Sequence, residues 1–195
     1  IDPSQSNIVS KIELSVQTDL SLYSKSDLIS INGVSQNSNV VNLSILNQNY
    51  PNTELIIIDG GSNDGTIEKI KKYEDKIKFW ISEKDQGQSD ALNKGFARCT
   101  GDIYGWLNSD DVYLPNTFKK IASIFSKNKD KKIVFGDWLF ISMKDDIIDY
   151  HHAFDFNLNH FKYEGFHINA QSMFWCRSVH KYFSGFQINL YNTMD

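Results

Sequence analysis

Leu55 to Thr66 reads LIIIDGGSNDGT, and the reading of this stretch decides the fold. Leu55 to Ile58 is an unbroken apolar run rich in β-branched residues, bounded by Pro51 on one side and Asp59-Gly60-Gly61 on the other. A run without polar alternation is read as a strand buried on both faces, the mark of a parallel sheet covered by helices. The glycines permit a tight turn and close approach of the backbone to a ligand. Ser62 and Asp64 then offer N-caps to a helix carrying Thr66, Ile67, Ile70 and Tyr73. Free N–H groups at a helix start suit polar or anionic groups. The segment has neither the Gly-Lys-Ser/Thr of a P-loop nor the GxGxxG spacing of a dinucleotide site. Taken alone, it is equally well a tight turn with a cap.

Working downstream, strand and helix signals alternate. Lys76 to Ser82 (KIKFWIS) alternates as a strand, Asp90 to Arg98 reads as a helix despite Gly95, and Asp102 to Leu107 (DIYGWL) is a strand running into Asn108-Ser109-Asp110-Asp111. Pro115 suits the first turn of a helix carrying Phe118, Ile121, Ala122, Ile124 and Phe125, and Ile133 to Phe135 gives a strand ending at Gly136-Asp137. Repeated alternation predicts an α/β class with a mostly parallel sheet flanked by helices. Beyond Trp138 the chain is richer in aromatics and His. Ile147 to Tyr150 and Ser172 to Trp175 read as strands there, and Arg177 to Tyr182 as a short helix. Upstream, Asp27 to Ile31 is a candidate strand and Asn39 to Leu46 a candidate helix, while residues 1–27 form a poorly defined N-terminal segment. Residues 28–195 are expected to form one domain.

The 195 residues are 41% hydrophobic and 23% charged, enough for one domain with a core. A net charge of −4 argues against a bulk nucleic-acid binder, whose footprint is a basic face. No apolar run reaches the ~18 residues of a membrane span, and the opening IDPSQSNIVSKIE lacks the pattern of a signal peptide. Cys99 and Cys176 lie far apart and read as buried or half-buried thiols of a reducing compartment.

Ligands of open parallel sheets bind outside the carboxyl ends of the strands. Three such ends carry carboxylates here: DGGSNDGT, the Asn108 to Asp111 segment NSDD, and Gly136-Asp137. Adjacent carboxylates repel unless a cation or base lies between them, and hard oxygen ligands suit Mg2+ or Mn2+ shared with phosphate. Helix capping by Asp110 or Asp111 is the structural alternative.

Read in order, SILNQNYPN, LIIIDGGSNDGT, SEKDQGQSDALNKG, GDIYGWLNSDDVYLP, FGD and QSMFW resemble the family 2 inverting glycosyltransferases with a GT-A (Rossmann-like) fold, of the type that builds bacterial cell-surface glycans. The resemblance runs from Ser44 to Asp195. It implies a GT-A-like domain over 28–195 that stops within the acceptor region, and transfer from a nucleoside diphosphate sugar, UDP ahead of the others, to a glycan or lipid-linked acceptor. By resemblance, Asp59 reaches the nucleoside, with Gly60 where the family often has a second Asp, and Ser62 belongs to the same loop. Asp85, Gly87 and Asn93 fall in the segment that lies along the nucleotide. Asn108-Ser109-Asp110 stands at the family's D-x-D, with Asn108 in place of its first carboxylate, so Asp110 is the implied ligand of Mn2+ or Mg2+ and Asp111 its support. The implied general base is Asp195. The first strand lacks the family's Thr-Pro-x-Tyr-Asn-like loop. A cytoplasmic protein with peripheral contact to the inner leaflet is the implied setting.

Other residues carry plainer expectations. His151, His152, His160 and His167 show no metal-site spacing and read as surface or loop residues, with a metal or acceptor role as the alternative. Trp138 is a packing residue or a sugar-stacking one, while Trp80, Trp106 and Trp175 read as core. Lys69, Lys71 and Lys72 form a solvated helix face, with weak attraction to anionic lipid as the alternative. Two rival functions stand beside the transferase: a degenerate or truncated nucleotide-binding module without turnover, and a nucleotidyltransferase on a similar sheet.

Overall fold

In the computed structural model the described residues are 43–142, 146–164, 168–183 and 185–188. The candidate strand at 27–31, the first half of the candidate helix at 39–46, His167 and Asp195 lie outside them. In chain order the elements are α1 (Leu43–Leu46), β1 (Ile56–Asp59), α2 (Thr66–Lys71), β2 (Phe79–Ser82), α3 (Gln88–Phe96), β3 (Ile103–Gly105), α4 (Thr117–Lys127), β4 (Ile133–Phe135), β5 (Trp138–Ile141), β6 (Ile147–His151), α5 (Leu158–Glu164), β7 (Met173–Cys176) and α6 (Arg177–Phe183). Short 3-10 turns at Glu74–Lys76 and Ala170–Ser172 precede β2 and β7.

The expected α/β class is what forms. β1 and β2 pair in parallel, Ile56 against Phe79 through Asp59 against Ser82. β7 lies between β3 and β4 and is antiparallel to both, so β3 and β4 share one direction. β1–β2 and β3–β7–β4 are separate hydrogen-bonded sheets, and hydrogen bonds between them at both ends set β1 and β2 in this same direction. At the amino ends, the Glu54 carboxylate before β1 accepts from the Thr100 and Gly101 N–H groups before β3, at 2.8 and 3.2 Å, and pairs with Lys78 before β2. At the carboxyl ends, Gln88 beyond β2 donates to Asn108 beyond β3. β5 and β6 form a separate antiparallel hairpin, with an irregularity between Phe140 and Ile141. Its first strand, β5, follows Gly136-Asp137 so closely that the sequence pattern does not mark it.

Both faces of β1 are covered, as an unbroken apolar run requires. Ile57 packs with the buried Leu55, Ile70 and Ile77, joined by Ile45, Leu46, Tyr73 and Trp80. On the other face α3 comes close through Gly95, whose missing Cβ would stand 3.4 Å from the Ile58 side chain. That approach explains a glycine inside a helix, which otherwise costs about 1 kcal/mol. A second core gathers Phe96, Tyr104 and Trp175 with Leu92, Trp106, Ile133, Met173, Val179 and Phe186. Trp106 and Trp175 therefore take the core positions expected of them. Gly105 is required by packing, because a Cβ there would sit 2.7 Å from the Phe174 ring.

Two helix starts differ from expectation. At α2 the capping position is Gly65 at φ 91°; Asp64 accepts from the Thr66 N–H at 3.2 Å, while Ser62 turns back to Asp59. α4 begins at Thr117 after Asn116, which takes φ 65°, so Pro115 stands in the turn before the helix. Asn tolerates this left-handed conformation better than most residues.

Candidate functional site

The polar strand ends meet along the carboxyl edge of the sheet. Asp59 closes β1 and is 8% exposed. Its Oδ2 accepts from the N–H groups of Gly61 (3.1 Å) and Ser62 (2.8 Å) and from the Ser82 hydroxyl (2.6 Å), and its Oδ1 from the Ser62 hydroxyl (2.5 Å). Burial works to raise the Asp59 carboxyl, but these donors outweigh it and hold it below its ordinary range. A carboxylate offers about four acceptor positions, so three donors saturate Oδ2 and Oδ1 keeps one place. Asp59 therefore shapes the Gly60–Ser62 loop from beneath. The parallel register makes this possible, since it sets Ser82 directly opposite Asp59.

The next loop packs against this one. Asp85 lies over Gly60, where a Cβ would stand 2.9 Å from Asp85 Oδ2. Asp85 Oδ1 accepts from the Gly87 N–H at 2.9 Å, and Gly87 at φ 107° caps α3. The Gln86 N–H goes to Asp90 Oδ2 at 3.1 Å. Asp59, Gly60, Ser62, Asp85 and Gly87 are thus brought together. Asn93 is one turn deeper in α3 and its amide is differently engaged. Its Nδ2 donates to the Phe186 carbonyl at 2.8 Å and its Oδ1 accepts from the Phe186 N–H at 2.7 Å. Asn93 clamps the segment after α6 by both ends of its amide.

The third polar stretch follows β3. Asn108 Oδ1 accepts from Gln88 Nε2 at 2.8 Å, and the Asn108 side chain also bonds Asp111. Asp111 Oδ2 accepts from Gln171 Nε2 at 2.6 Å. Burial pushes the Asp111 carboxyl up and the adjacent Asp110 adds to this, against hydrogen bonds from Gln171 and Asn108. Ser109 and Asp110 are exposed, and Asp110 makes no hydrogen bond among the described residues. Gln88 and Gln171 are the residues that the sequence reading does not single out. The one available signal for Gln171 is that it opens the QSMFW stretch, in the turn before β7.

Among the described residues no group of three or more His, Cys, Asp or Glu side chains is arranged to hold a metal. The donor set nevertheless fits a hard cation of the Mg2+ type. Such ions keep several waters and take one or two carboxylates plus substrate phosphates, in place of an all-protein cage. Asp110 is the exposed carboxylate of that kind.

On the hairpin, Trp138 stacks on His151 with ring centroids 5.1 Å apart and planes at 6°. His160 lies in α5. His180 in α6 packs against Phe96 and Tyr104, and burial lowers its pKa.

Residues 41–183 match the family model described as "Glycosyl transferase family 2". The chain is 35% identical over 123 residues to an uncharacterized glycosyltransferase of Rickettsia conorii, a match covering 61% of this chain and 20% of that protein. An uncharacterized glycosyltransferase of Haemophilus influenzae is 38% identical over 89 residues, 44% of this chain and 36% of its own. The chain therefore spans about a fifth to about a third of the length of these relatives. Among solved structures, S. aureus TarS 1-349 in complex with UDP superposes with a TM-score of 0.59 at 15% identity, over 80% of this chain and 47% of that one. The mannosyltransferase PcManGT from Pyrobaculum calidifontis, in complex with GDP-Man and Mn2+, gives 0.50 at 16%, over 91% and 47%. The fold is that of the GT-A glycosyltransferases.

Proposed function

This chain belongs to glycosyl transferase family 2, and from that premise we propose that it moves a hexosyl unit from a nucleoside diphosphate sugar, a UDP-sugar ahead of the others, to a glycan or lipid-linked acceptor with inversion. The observation that carries the reading is the convergence of three loops at one sheet edge: Asp59–Ser62, Asp85–Gly87 and Asn108–Asp111. The UDP held by TarS and the GDP-Man and Mn2+ held by PcManGT support a donor of this class.

In this reading each residue has a defined task. Asp59 keeps the 60–62 loop in shape, so that it and the Asp85–Gly87 loop line the nucleoside. Asp110 would hold Mn2+ or Mg2+, and Asp111, oriented by Gln171 and Asn108, would support it. The cation supplies neutralisation of the charge that develops on the leaving diphosphate. Asp195 takes the proton of the acceptor hydroxyl as that oxygen attacks the anomeric carbon. No helix among the described residues is long and apolar enough to cross a membrane. We place the reaction in the cytoplasm, where such donors are soluble, with peripheral contact to the membrane that carries the acceptor.

Asn108 in place of a carboxylate favours one second reading, a nucleotide-binding module without turnover. A nucleotide-release assay separates the two. With Mn2+ present, UDP-glucose, UDP-galactose, UDP-N-acetylglucosamine and GDP-mannose are each incubated with the protein, with and without EDTA. The transferase reading expects release from a UDP-sugar above the buffer rate, abolished by EDTA. Tight UDP binding with no release from any donor would favour the module.

A further inference from the structure

Asp137 lies just beyond β4 at the same edge, directly before β5, and its side chain is 2% exposed. Both oxygens are engaged: Oδ1 accepts from the Ala153 N–H at 2.8 Å and Oδ2 from the Tyr150 hydroxyl at 2.7 Å. The Tyr150 oxygen also lies 2.8 Å from His152 Nδ1, with Asp137 Oδ2 3.5 Å from the same nitrogen. A phenol has one proton. Since Tyr150 gives its proton to Asp137, its oxygen can only accept from His152, so Nδ1 carries the hydrogen. In the neutral ring Nε2 is then the bare acceptor, and the His152 side chain is 63% exposed. A buried carboxylate thus fixes the tautomer and the orientation of an exposed imidazole through a tyrosine.

The position is as informative as the geometry. The Gly136 N–H donates to the Ser172 carbonyl at 3.2 Å, and the neighbouring Gln171 holds Asp111. β3 and β4 flank β7, so their carboxyl ends lie two inter-strand spacings apart, roughly 10 Å. A bare Nε2 takes a hydrogen bond from a hydroxyl donor.

We propose that His152 is an acceptor-binding residue, taking a hydrogen bond at Nε2 from a hydroxyl of the carbohydrate acceptor, with Tyr150 and Asp137 as its positioning residues. The proposal rests on the transferase reading of the donor loops. It is tested by 15N NMR on histidine-labelled protein loaded with UDP and Mn2+. The probes are methyl β-D-glucopyranoside, methyl β-D-galactopyranoside and methyl α-D-mannopyranoside, each titrated to 100 mM. The expected result is a pyrrole-type Nδ1 for His152 and movement of its Nε2 and Hε1 signals with at least one glycoside. His152→Ala should weaken that glycoside at least five-fold with UDP affinity kept within two-fold. Tyr150→Phe should mix the tautomers and weaken it as well. A His152 ring with Nε2 protonated, or one that no glycoside moves while UDP stays bound, overturns the proposal. Failure to bind UDP at all would instead strike the transferase reading on which it stands.

Discussion

The Gln171 amide donates to the Asp111 carboxylate across 2.6 Å, joining the turn before β7 to the loop after β3. Asp111 is half-buried beside Asp110, and burial already pushes its carboxyl up. Gln171→Leu would remove a donor from this carboxylate at nearly unchanged side-chain size. The expected cost is about 1–3 kcal/mol, read as a lower urea midpoint with an unchanged slope. An unchanged midpoint would show that Gln171 does not hold the loop.

Asn93 separates two roles cleanly. Both ends of its amide are committed to the Phe186 backbone, and Phe186 stacks on Phe96 and Trp106 at 5.8 and 5.9 Å. Asn93→Ala is expected to lower stability by about 1–3 kcal/mol and to leave UDP affinity within two-fold by calorimetry. A large loss of UDP affinity with stability unchanged would return Asn93 to the nucleotide.

Gly60 is tied to Asp85 by space. A methyl at position 60 would meet Asp85 Oδ2 at 2.9 Å, so Gly60→Ala should displace that carboxylate. We expect UDP affinity to fall about ten-fold, equivalent to about 1.4 kcal/mol, with a change of less than about 1 kcal/mol in folding stability because the site is exposed. Equal affinity for UDP in wild type and variant would show that Asp85 does not face the nucleotide.

The Glu54 clamp gives a pH prediction. Burial pushes this carboxyl up, but Lys78 and Thr100 prevail and lower it from 4.5 to about 2. A pKa lowered by folding means the native state favours the ionised form. The stabilisation is therefore complete above pH 4.5 and fades as the pH falls towards about 2. Glu54→Gln should cost about 1–3 kcal/mol at pH 7, and the gap to wild type in urea unfolding should narrow steadily between pH 4.5 and pH 3. A gap independent of pH would place the effect in shape, not charge.

How much of this was legible in the sequence depends on range. β1 was readable because an unbroken apolar run needs cover on both faces, and α2 and α3 provide it. NSDD was readable because it directly follows a strand. Gln88 and Gln171 were not, because a glutamine's role is set by what lies across the sheet edge, and Gln171 and Asp111 are 60 residues apart. Ser62 fits a helix cap by sequence, whereas its hydroxyl serves Asp59, next to Ser82, which the parallel register brings in. β5 was missed because four residues, WLFI, directly after Gly136-Asp137 show little periodicity until β6 pairs with them.

The central claim, a donor site with Asp110 on the cation, is tested most directly by thermal unfolding with UDP, with and without Mn2+, in wild type and Asp110→Ala. At about 100 times Kd a ligand adds about 2.7 kcal/mol to the folded state. The account predicts a wild-type midpoint raised by UDP and Mn2+ together, and no Mn2+-dependent part in Asp110→Ala. An equal Mn2+-dependent shift in both proteins, or none in either, would contradict it.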